Sequence, residues 1–566
     1  MPHLAPHQVS VVVIGHNDAA HVTDAVRSAL AQGSAVREVV AVDDCSTDGS
    51  AELLTRLAGT EPRLRVVRHP VNSGGCGTPR NTGLDTVTAP YVMFLDSDDV
   101  LPPGAVDALL TAAVEEDAEV AGGLCVRREL PSGREVPWQR RLYAARAVVG
   151  RPAQHPLLVR DTLCVNKLYR TAFLASHGIR FPEGGFRYED FVFTARVLAA
   201  DPRIVLVPDR VYVWHVRRSA ERLSISLDRA GIDNWRARTR ASRAAHEILL
   251  GAGQKELARA ARAKFLDHEL RLYLRELGLR DESYRHDWWA HTREYLAAYD
   301  AADLGARPAA PGRLLAQVVL ASPGPRDLPR LGELAARPAR LLPPYARAAD
   351  GTPVWSADLP QVTLDSLLTC PVLLLPVAVD ARLRPRARGT VLRLRLHELY
   401  GRMAAAGPEA LEVEWRPRDG APGRAGATRT GDARWRRTAA LAPAPDGTWT
   451  AETPVDLAAL AAYGTGTWDL RLRVLFADGA SRETTAHAVG GAGLLRRRAV
   501  VSARHAVVLV QPYATHSGAL ALRLAPGAGG IVSVAHARLR RLIVRERHRP
   551  PPRAEQRGAA GRITEP

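Results

Sequence analysis

Two periods alternate along the first part of the chain. Val9–Ile14, VSVVVI, is a nearly continuous apolar run of strand length, as in a strand buried on both faces. VTDAVRSALAQ comes next, with Val22, Ala25, Val26, Ala29 and Leu30 at helical spacing. The pair of periods then repeats. EVVAV (38–42) predicts a strand and GSAELLTRLA a helix; LRVVRH predicts a strand and TPRNTGLDTV a helix; YVMFL (91–95) is the fourth strand. Strands alternating with helices over short links predict a parallel sheet with helices on its faces.

Past Asp228 the pattern changes. RASRAAHEILLGAGQKELARAARAKFLDHELRLYLREL is rich in helix formers with apolar residues three and four apart, so a helical segment is expected to about Ala348. A Pro-rich stretch from ARPAAPG to LLPPYARAADGTP reads as a linker. Beyond Leu359 short strands are expected in PVLLLPVAV, TVLRLRLHEL, ALEVEWRP, TWDLRLRVLFADG, HAVVLVQPY and ALALRLA. DLRLRVLF alternates as a half-buried antiparallel strand does. One or two β-sandwich modules fit this spacing. The organisation expected is 1–226 α/β, 227–350 helical, 359–545 β-sandwich and a disordered tail over 546–566.

Composition changes little of this. With 566 residues, 46% hydrophobic and 24% charged, the chain has ample length for several packed domains. The basic excess, 77 Lys+Arg against 60 Asp+Glu, is nearly all arginine, because lysine stands only at Lys167, Lys255 and Lys264. A net charge of +17 favours anionic partners: a phosphate-rich polymer, a membrane surface or nucleic acid. Aromatic content of 5% is low for base stacking and no nucleic-acid module is recognisable, so nucleic acid is not expected. The five cysteines form no CxxC pair, which argues against a disulfide or zinc framework and fits a reducing compartment. No apolar run reaches the ~18 residues of a spanning helix, and the first residues show no signal-peptide pattern. A cytoplasmic protein is expected, with room for peripheral contact with the inner face of a membrane.

The polar residues gather after the strands. Gly15-His16-Asn17 lies after the first, Asp43-Asp44 after the second, the Asn72–Arg80 loop after the third and Asp96-Ser97-Asp98-Asp99 after the fourth. Carboxyl ends of parallel strands are where open α/β sheets bind ligands. Three acids within four positions repel one another unless a positive partner arrives. Mg²⁺ or Mn²⁺, which take oxygen ligands and share them with phosphates, suits that role. A helix N-cap would also use an aspartate there, and DDCSTDG is also turn chemistry.

Together VSVVVIGHND, VVAVDDCSTDGS, NSGGCGTPRNTGLDTVTAPYVMFLDSDDVLPPGAVDALL and FRYEDFVFTARVL resemble the family 2 glycosyltransferases of the GT-A fold, over roughly residues 8–225. The resemblance implies an α/β GT-A (Rossmann-like) catalytic domain that transfers a sugar from a nucleotide diphospho-sugar with inversion, using Mn²⁺ or Mg²⁺. It implies nucleotide-sugar contacts from Ile14, Asn17, Asp43 or Asp44, Asn72, Arg80, Asp96 and Ser97, with the acid on uracil and Arg80 facing uracil or diphosphate. Glycines 74, 75 and 77 would let backbone approach the ligand, or simply loosen the loop. Metal would be held by Asp98 with Asp96, and by His215 unless that ring only packs on Trp214. Asp190 would be the base that takes the acceptor proton, with Glu189 orienting the acceptor or tuning it. VYVWHVRRSAERLSIS is expected to follow the last strand of the sheet, where Arg217, Arg218 or Ser224 could touch the diphosphate, and CVNKLYR lies near the acceptor in the family. One departure is clear: the family's first loop often reads PxYN, where this chain has Ile14 and His16 and keeps only Asn17.

A transferase domain, then helices, then immunoglobulin-like β-sandwich modules resembles the wall teichoic acid sugar transferases. That architecture implies an anionic polyol-phosphate acceptor, N-acetylglucosamine as the sugar and oligomerisation through the C-terminal region. A transferase for another capsular or lipid-linked saccharide, and a catalytically inert glycopolymer-binding protein, are the alternatives. Intact acids at Asp96, Asp98 and Asp190 argue against the inert one.

Overall fold

The computed structural model describes residues 8–130, 133–217, 228–305, 310–386, 389–418, 436–489, 498–502, 504–515 and 517–527. Arg218, Ser224 and the expected disordered tail lie outside these residues. The chain divides into two units, Met1–Pro376 and Val377–Pro566.

In the first unit the expected alternation forms. β1 (Val9–Gly15), α1 (Val22–Leu30), β2 (Val36–Asp43), α2 (Ser50–Ala58), β3 (Leu64–Arg68), α3 (Gly77–Thr86), β4 (Tyr91–Asp96) and α4 (Ala105–Glu115) come in order. β3, β2, β1 and β4 are neighbours and all parallel. The valines of β1 and β2 and Val92–Leu95 of β4 are buried, as strands covered on both faces must be. α1 turns Val22, Ala25, Val26 and Ala29 onto the sheet.

The sheet then becomes mixed, with β5 (Val120–Leu130), β6 (Arg134–Pro137), β7 (Ala147–Val149), β8 (Lys167–Arg170), α5 (Thr171–Ser176), α6 (Glu189–Ala199) and β9 (Ile204–Arg217). Its order is β3-β2-β1-β4-β8-β5-β9-β7, with β6 on β5. VYVWHVR, expected from the sequence to lie beyond the last strand of the sheet, is the second half of β9. There it pairs with β5, and Val213 bridges to Val100 just past β4. The helical segment holds α7 (Ile232–Gly251), α8 (Lys255–Lys264), a π-helical turn at Phe265–Leu270, α9 (Arg271–Leu277) and α10 (Glu282–Leu296). The Pro-rich stretch expected as a linker instead carries α11 (Ala310–Ala321) and α12 (Leu328–Ala335). Between the proline clusters the apolar run LLAQVVLA buries Leu314, Leu315, Val318 and Val319, and that burial outweighs the prolines at the edges.

The second unit is built on two β-sheets, with short helices at Arg402–Ala406 and Leu457–Ala461. One sheet runs Ala442–Pro443, Trp449–Pro454, Val391–Leu396, Val379–Arg384, Ala486–Ala488. The other runs Arg436–Ala440, Pro408–Pro417, Gly466–Phe476, Leu520–Pro526, Ala506–Ala514, Arg498–Ser502. In Gly466–Phe476 the even side buries Trp468, Leu470, Leu472 and Val474. PVLLLPVAV is not a strand along its length: Pro371 and Pro376 bracket a 3-10 turn at Val372–Leu374, and pairing begins only at Val379.

Candidate active site

β1 lies between β2 and β4, with Gly15 level with Asp43 and Ile14 level with Asp96. The chain leaves β2 and β4 toward opposite sides of β1, which opens a crevice at their carboxyl ends. The predicted polar clusters meet there.

On the β2 side both aspartates are buried and partnered. Asp43 accepts the Ser46 N–H at 3.0 Å, with Arg68 Nε at 3.6 Å. Asp44 accepts from the His69 ring at 2.7 Å, the Ser73 hydroxyl at 2.8 Å and the Asn72 amide at 3.2 Å. Asp44 therefore clamps the loop after β3 against the end of β2. Asn17, left-handed at φ 52, accepts the Thr47 N–H at 2.7 Å and so joins the first loop to the second. Ile14 belongs to the core. The glycines admit protein rather than loosen the loop: a Cβ on Gly77 would sit 1.9 Å from the Pro182 carbonyl, and one on Gly75 2.5 Å from the Gly184 carbonyl. They let the segment ahead of α6 close onto the start of α3.

That closure brings the centre of the site together. Arg80, on α3 and only 2% exposed, donates to Glu189 at 2.5 Å, Asp190 at 3.2 Å and Asp96 at 2.7 Å. Its guanidinium also lies 5.2 Å from the centroid of Phe181, which stacks on Phe193 at 3.9 Å. Arg80, expected at uracil or diphosphate, gathers three acids from two distant motifs. Glu189 and Asp190 open α6, where the helix dipole favours them. Burial and the charge of Asp190 nevertheless push Glu189 up to about 7, against the pull of Arg80. Burial raises Asp190 as well; Arg80 and hydrogen bonds from Cys164 oppose it. The two carboxyls titrate as a pair.

Beyond β4, Ser97 donates to Asp18 at 2.9 Å. Asp98 is 40% exposed at its side chain and receives Arg217 at 3.0 Å. Burial, then the charge of Asp96, push its carboxyl up to about 6, with Arg217 opposing. Asp99 is an internal anchor, accepting from Tyr212 and from the His215 N–H, each at 2.7 Å. His215 Nδ1 lies 3.1 Å from the Asp98 carbonyl oxygen. A carbonyl only accepts, so Nδ1 carries the proton and Nε2 keeps a lone pair; burial lowers the ring's pKa and favours that neutral form. This is the tautomer of a metal-ligating histidine. Asp96 turns to Arg80, and among the described residues no three His, Cys, Asp or Glu side chains gather closely enough to enclose a metal.

Sequence reasoning did not find the support behind Cys164. Asp161 is fully buried and receives Lys167 at 2.8 Å, Trp138 at 2.8 Å and Asn166 at 3.1 Å, with the Tyr143 hydroxyl beside it. One of only three lysines placed among apolar residues was the available signal.

The sequence model of the family described as Glycosyl transferase family 2 matches residues 10–178. Poly(ribitol-phosphate) beta-N-acetylglucosaminyltransferase TarS of Staphylococcus aureus (strain Mu50) is 31% identical over 221 residues, 38% of this chain and 36% of that protein. Succinoglycan biosynthesis protein ExoO of Rhizobium meliloti (strain 1021) is 27% identical over 230 residues, 39% of this chain and 64% of that protein. The chain thus spans about a third of TarS in sequence. A crystal structure of S. aureus TarS superposes with a TM-score of 0.51 at 18% identity, covering 92% of this chain and 85% of that one, a likeness of fold. Through the segment 10–178, which holds β1–β4 and the Asp96–Asp99 run, the chain carries a domain of glycosyl transferase family 2.

Proposed function

We propose that this protein is an inverting, metal-dependent glycosyltransferase that moves N-acetylglucosamine from UDP-GlcNAc onto a cell-wall polyol-phosphate polymer. The observation that carries the reading is the set of three carboxylates, Asp96, Glu189 and Asp190, held on the buried Arg80 beside the accessible Asp98. Asp190 is the base: it takes the proton of the acceptor hydroxyl as that oxygen attacks the anomeric carbon. Arg80 orients it, and Glu189, near 7, tunes it through their shared charge. Asp98 and His215 Nε2 would hold Mn²⁺ or Mg²⁺, with the donor's phosphates filling the other positions. When bound, the ion would stabilise charge on the departing diphosphate. Asp43, Asp44, Asn17 and Asn72 build the rim on which uracil would sit.

The acceptor and sugar rest on the likeness to TarS, and the polyol-phosphate polymer suits a basic protein. Similarity to ExoO, over the larger share of that relative, favours the second reading, in which another capsular or lipid-linked saccharide is the acceptor. We place the reaction on the cytoplasmic side; no described helix is long and apolar enough to cross a membrane. The test is release of UDP from UDP-GlcNAc with Mn²⁺ or with EDTA, in the presence of wall polymer or of a neutral polysaccharide. Metal-dependent release stimulated by the polyol-phosphate polymer is expected. Stimulation by the neutral polysaccharide alone would favour the second reading, and no release from any nucleotide sugar would overturn both.

A further inference from the structure

The second unit carries a row of exposed arginines on one sheet face. In Val379–Arg384 the apolar Val379, Ala381 and Leu383 face the core, and Asp380, Arg382 and Arg384 face out. In Val391–Leu396 the core takes Leu392, Leu394 and Leu396, and Arg393 and Arg395 face out. The antiparallel register sets Arg382 directly opposite Arg393. Like charges directly opposite on a sheet are destabilising. Arg382 and Arg384 have no ion-pair partner among the described residues. Arg393 reaches Glu452 at 2.7 Å and Arg395 reaches Asp446 at 3.7 Å, but both pairs are more than half exposed at every side chain. Exposed pairs of this kind hold weakly and exchange readily. Asp380 offers little compensation, because it accepts from two histidines, His397 at 2.8 Å and His487 at 3.0 Å.

The unit's other sheet is built differently. There Glu412 lies opposite Arg473, and Glu414 lies between Arg471 and Arg436 on its two neighbouring strands. Its charges complement one another across the strands. Among the described strand pairs of the two sheets, only Arg382 and Arg393 set arginine directly opposite arginine.

We propose that the outward face of the Val379–Arg384 and Val391–Leu396 strands binds a linear, phosphate-bearing polymer. Alternate residues on a strand stand about 6.5–7 Å apart and cross-strand neighbours about 5 Å. Arg384 lies opposite Val391 and Arg395 opposite Asp380, so the four arginines form a staggered line along the strands, with the Arg382/Arg393 pair at its middle. Each can take a phosphate in a bidentate manner. An open sheet suits an extended chain that repeats its charge better than a compact ligand needing a cavity. Nucleic acid is disfavoured, since the outward residues of these two strands include no aromatic ring for a base to stack on. The polymer belongs to the class proposed above as acceptor, and its identity rests on that reading; the binding itself does not require catalysis.

The test is binding of full-length protein to inorganic polyphosphate as the probe, monitored by fluorescence anisotropy across a salt series without any nucleotide sugar. In the double variant Arg382→Ser/Arg393→Ser, affinity should fall at least tenfold. The slope of log affinity against log salt should fall by about one for each contact removed. Arg384→Ser/Arg395→Ser should behave the same way and guards against a local fold defect. The control Arg416→Ser/Arg471→Ser removes the same charge from exposed positions on the other sheet and should leave affinity within twofold. UDP release without polymer should be unchanged in all three. Equal loss in the control, no loss in either test variant, or tighter binding to a single-stranded oligonucleotide or to anionic lipid vesicles would each overturn the proposal.

Discussion

Arg80 is the residue on which the site turns. It is buried, and three carboxylates depend on it for a counter-charge. Removing one partner of a buried pair typically costs about 3–5 kcal/mol. Arg80→Met should therefore lower the melting temperature sharply at pH 8. It should do so less at pH 5, where the acids it leaves behind can take up protons; an equal loss at both pH values would contradict the geometry. The acids have their own signature. Burial and mutual repulsion push the Glu189–Asp190 pair up, Glu189 to about 7 from an ordinary 4.5, so between those values the native pair holds a proton the unfolded chain has released. That contribution to stability is present at low pH and is lost as pH rises through about 7. Wild-type stability should fall from pH 5 to pH 8, and Glu189→Gln should flatten that fall in denaturation curves. Asp190→Asn keeps the shape and removes the proposed base. It should cut transfer by about 10²–10⁴-fold while UDP-GlcNAc binding by calorimetry stays near wild type. Asp98→Ala should instead weaken the metal-dependent part of nucleotide binding.

At the scale of elements, the question is what aims the first turn of α6. Tyr188 precedes Glu189 in a left-handed conformation, φ 64, that costs a non-glycine residue about 1–3 kcal/mol. α7 holds it there: the Tyr188 hydroxyl donates to Asn234 at 2.7 Å, and the guanidinium of Arg238 lies 4.3 Å from the ring centroid. The helical segment is thus part of the site's scaffold. Tyr188→Phe keeps the ring and loses the bond to Asn234. It should lower kcat several-fold with little change in donor KM, and stability should drop by only about 1 kcal/mol; a rise in KM at constant kcat would remove α7 from this role. These elements differ in how legible they were. β1–β4 and the acids at their ends could be read because apolar period and polar punctuation are local signals. The meeting of Arg80 with Glu189 could not, because the two lie 109 positions apart and only the close approach at Gly75 and Gly77 joins them. The second half of β9 was missed since WHVR carries polar residues that face the acids after β4, not solvent. PVLLLPVAV looked like a strand by composition, and its two prolines decided otherwise.

At the scale of the whole molecule, every residue assigned to sugar transfer lies in the first unit, and the arginine row lies in the second. The first unit ends where Leu341 N–H meets the Pro376 carbonyl at 2.9 Å, and the core around β1–β9 extends into α7 and α8. A chain of residues 1–376 should therefore fold cooperatively and release UDP from UDP-GlcNAc within a few-fold of the full-length rate. Its response to acceptors should differ by length. A short polyol-phosphate fragment that reaches only the catalytic crevice should stimulate both proteins alike. Long polymer should stimulate the full chain at lower concentration, because a second, remote contact raises the effective concentration of the acceptor near Asp190. Steady-state titration of both acceptors against both proteins measures this directly. If the 1–376 protein is folded, binds UDP and yet releases none, then the catalytic set around Arg80 is incomplete and the second unit supplies what it lacks. If both proteins saturate with long polymer at the same concentration, the arginine face plays no part in turnover.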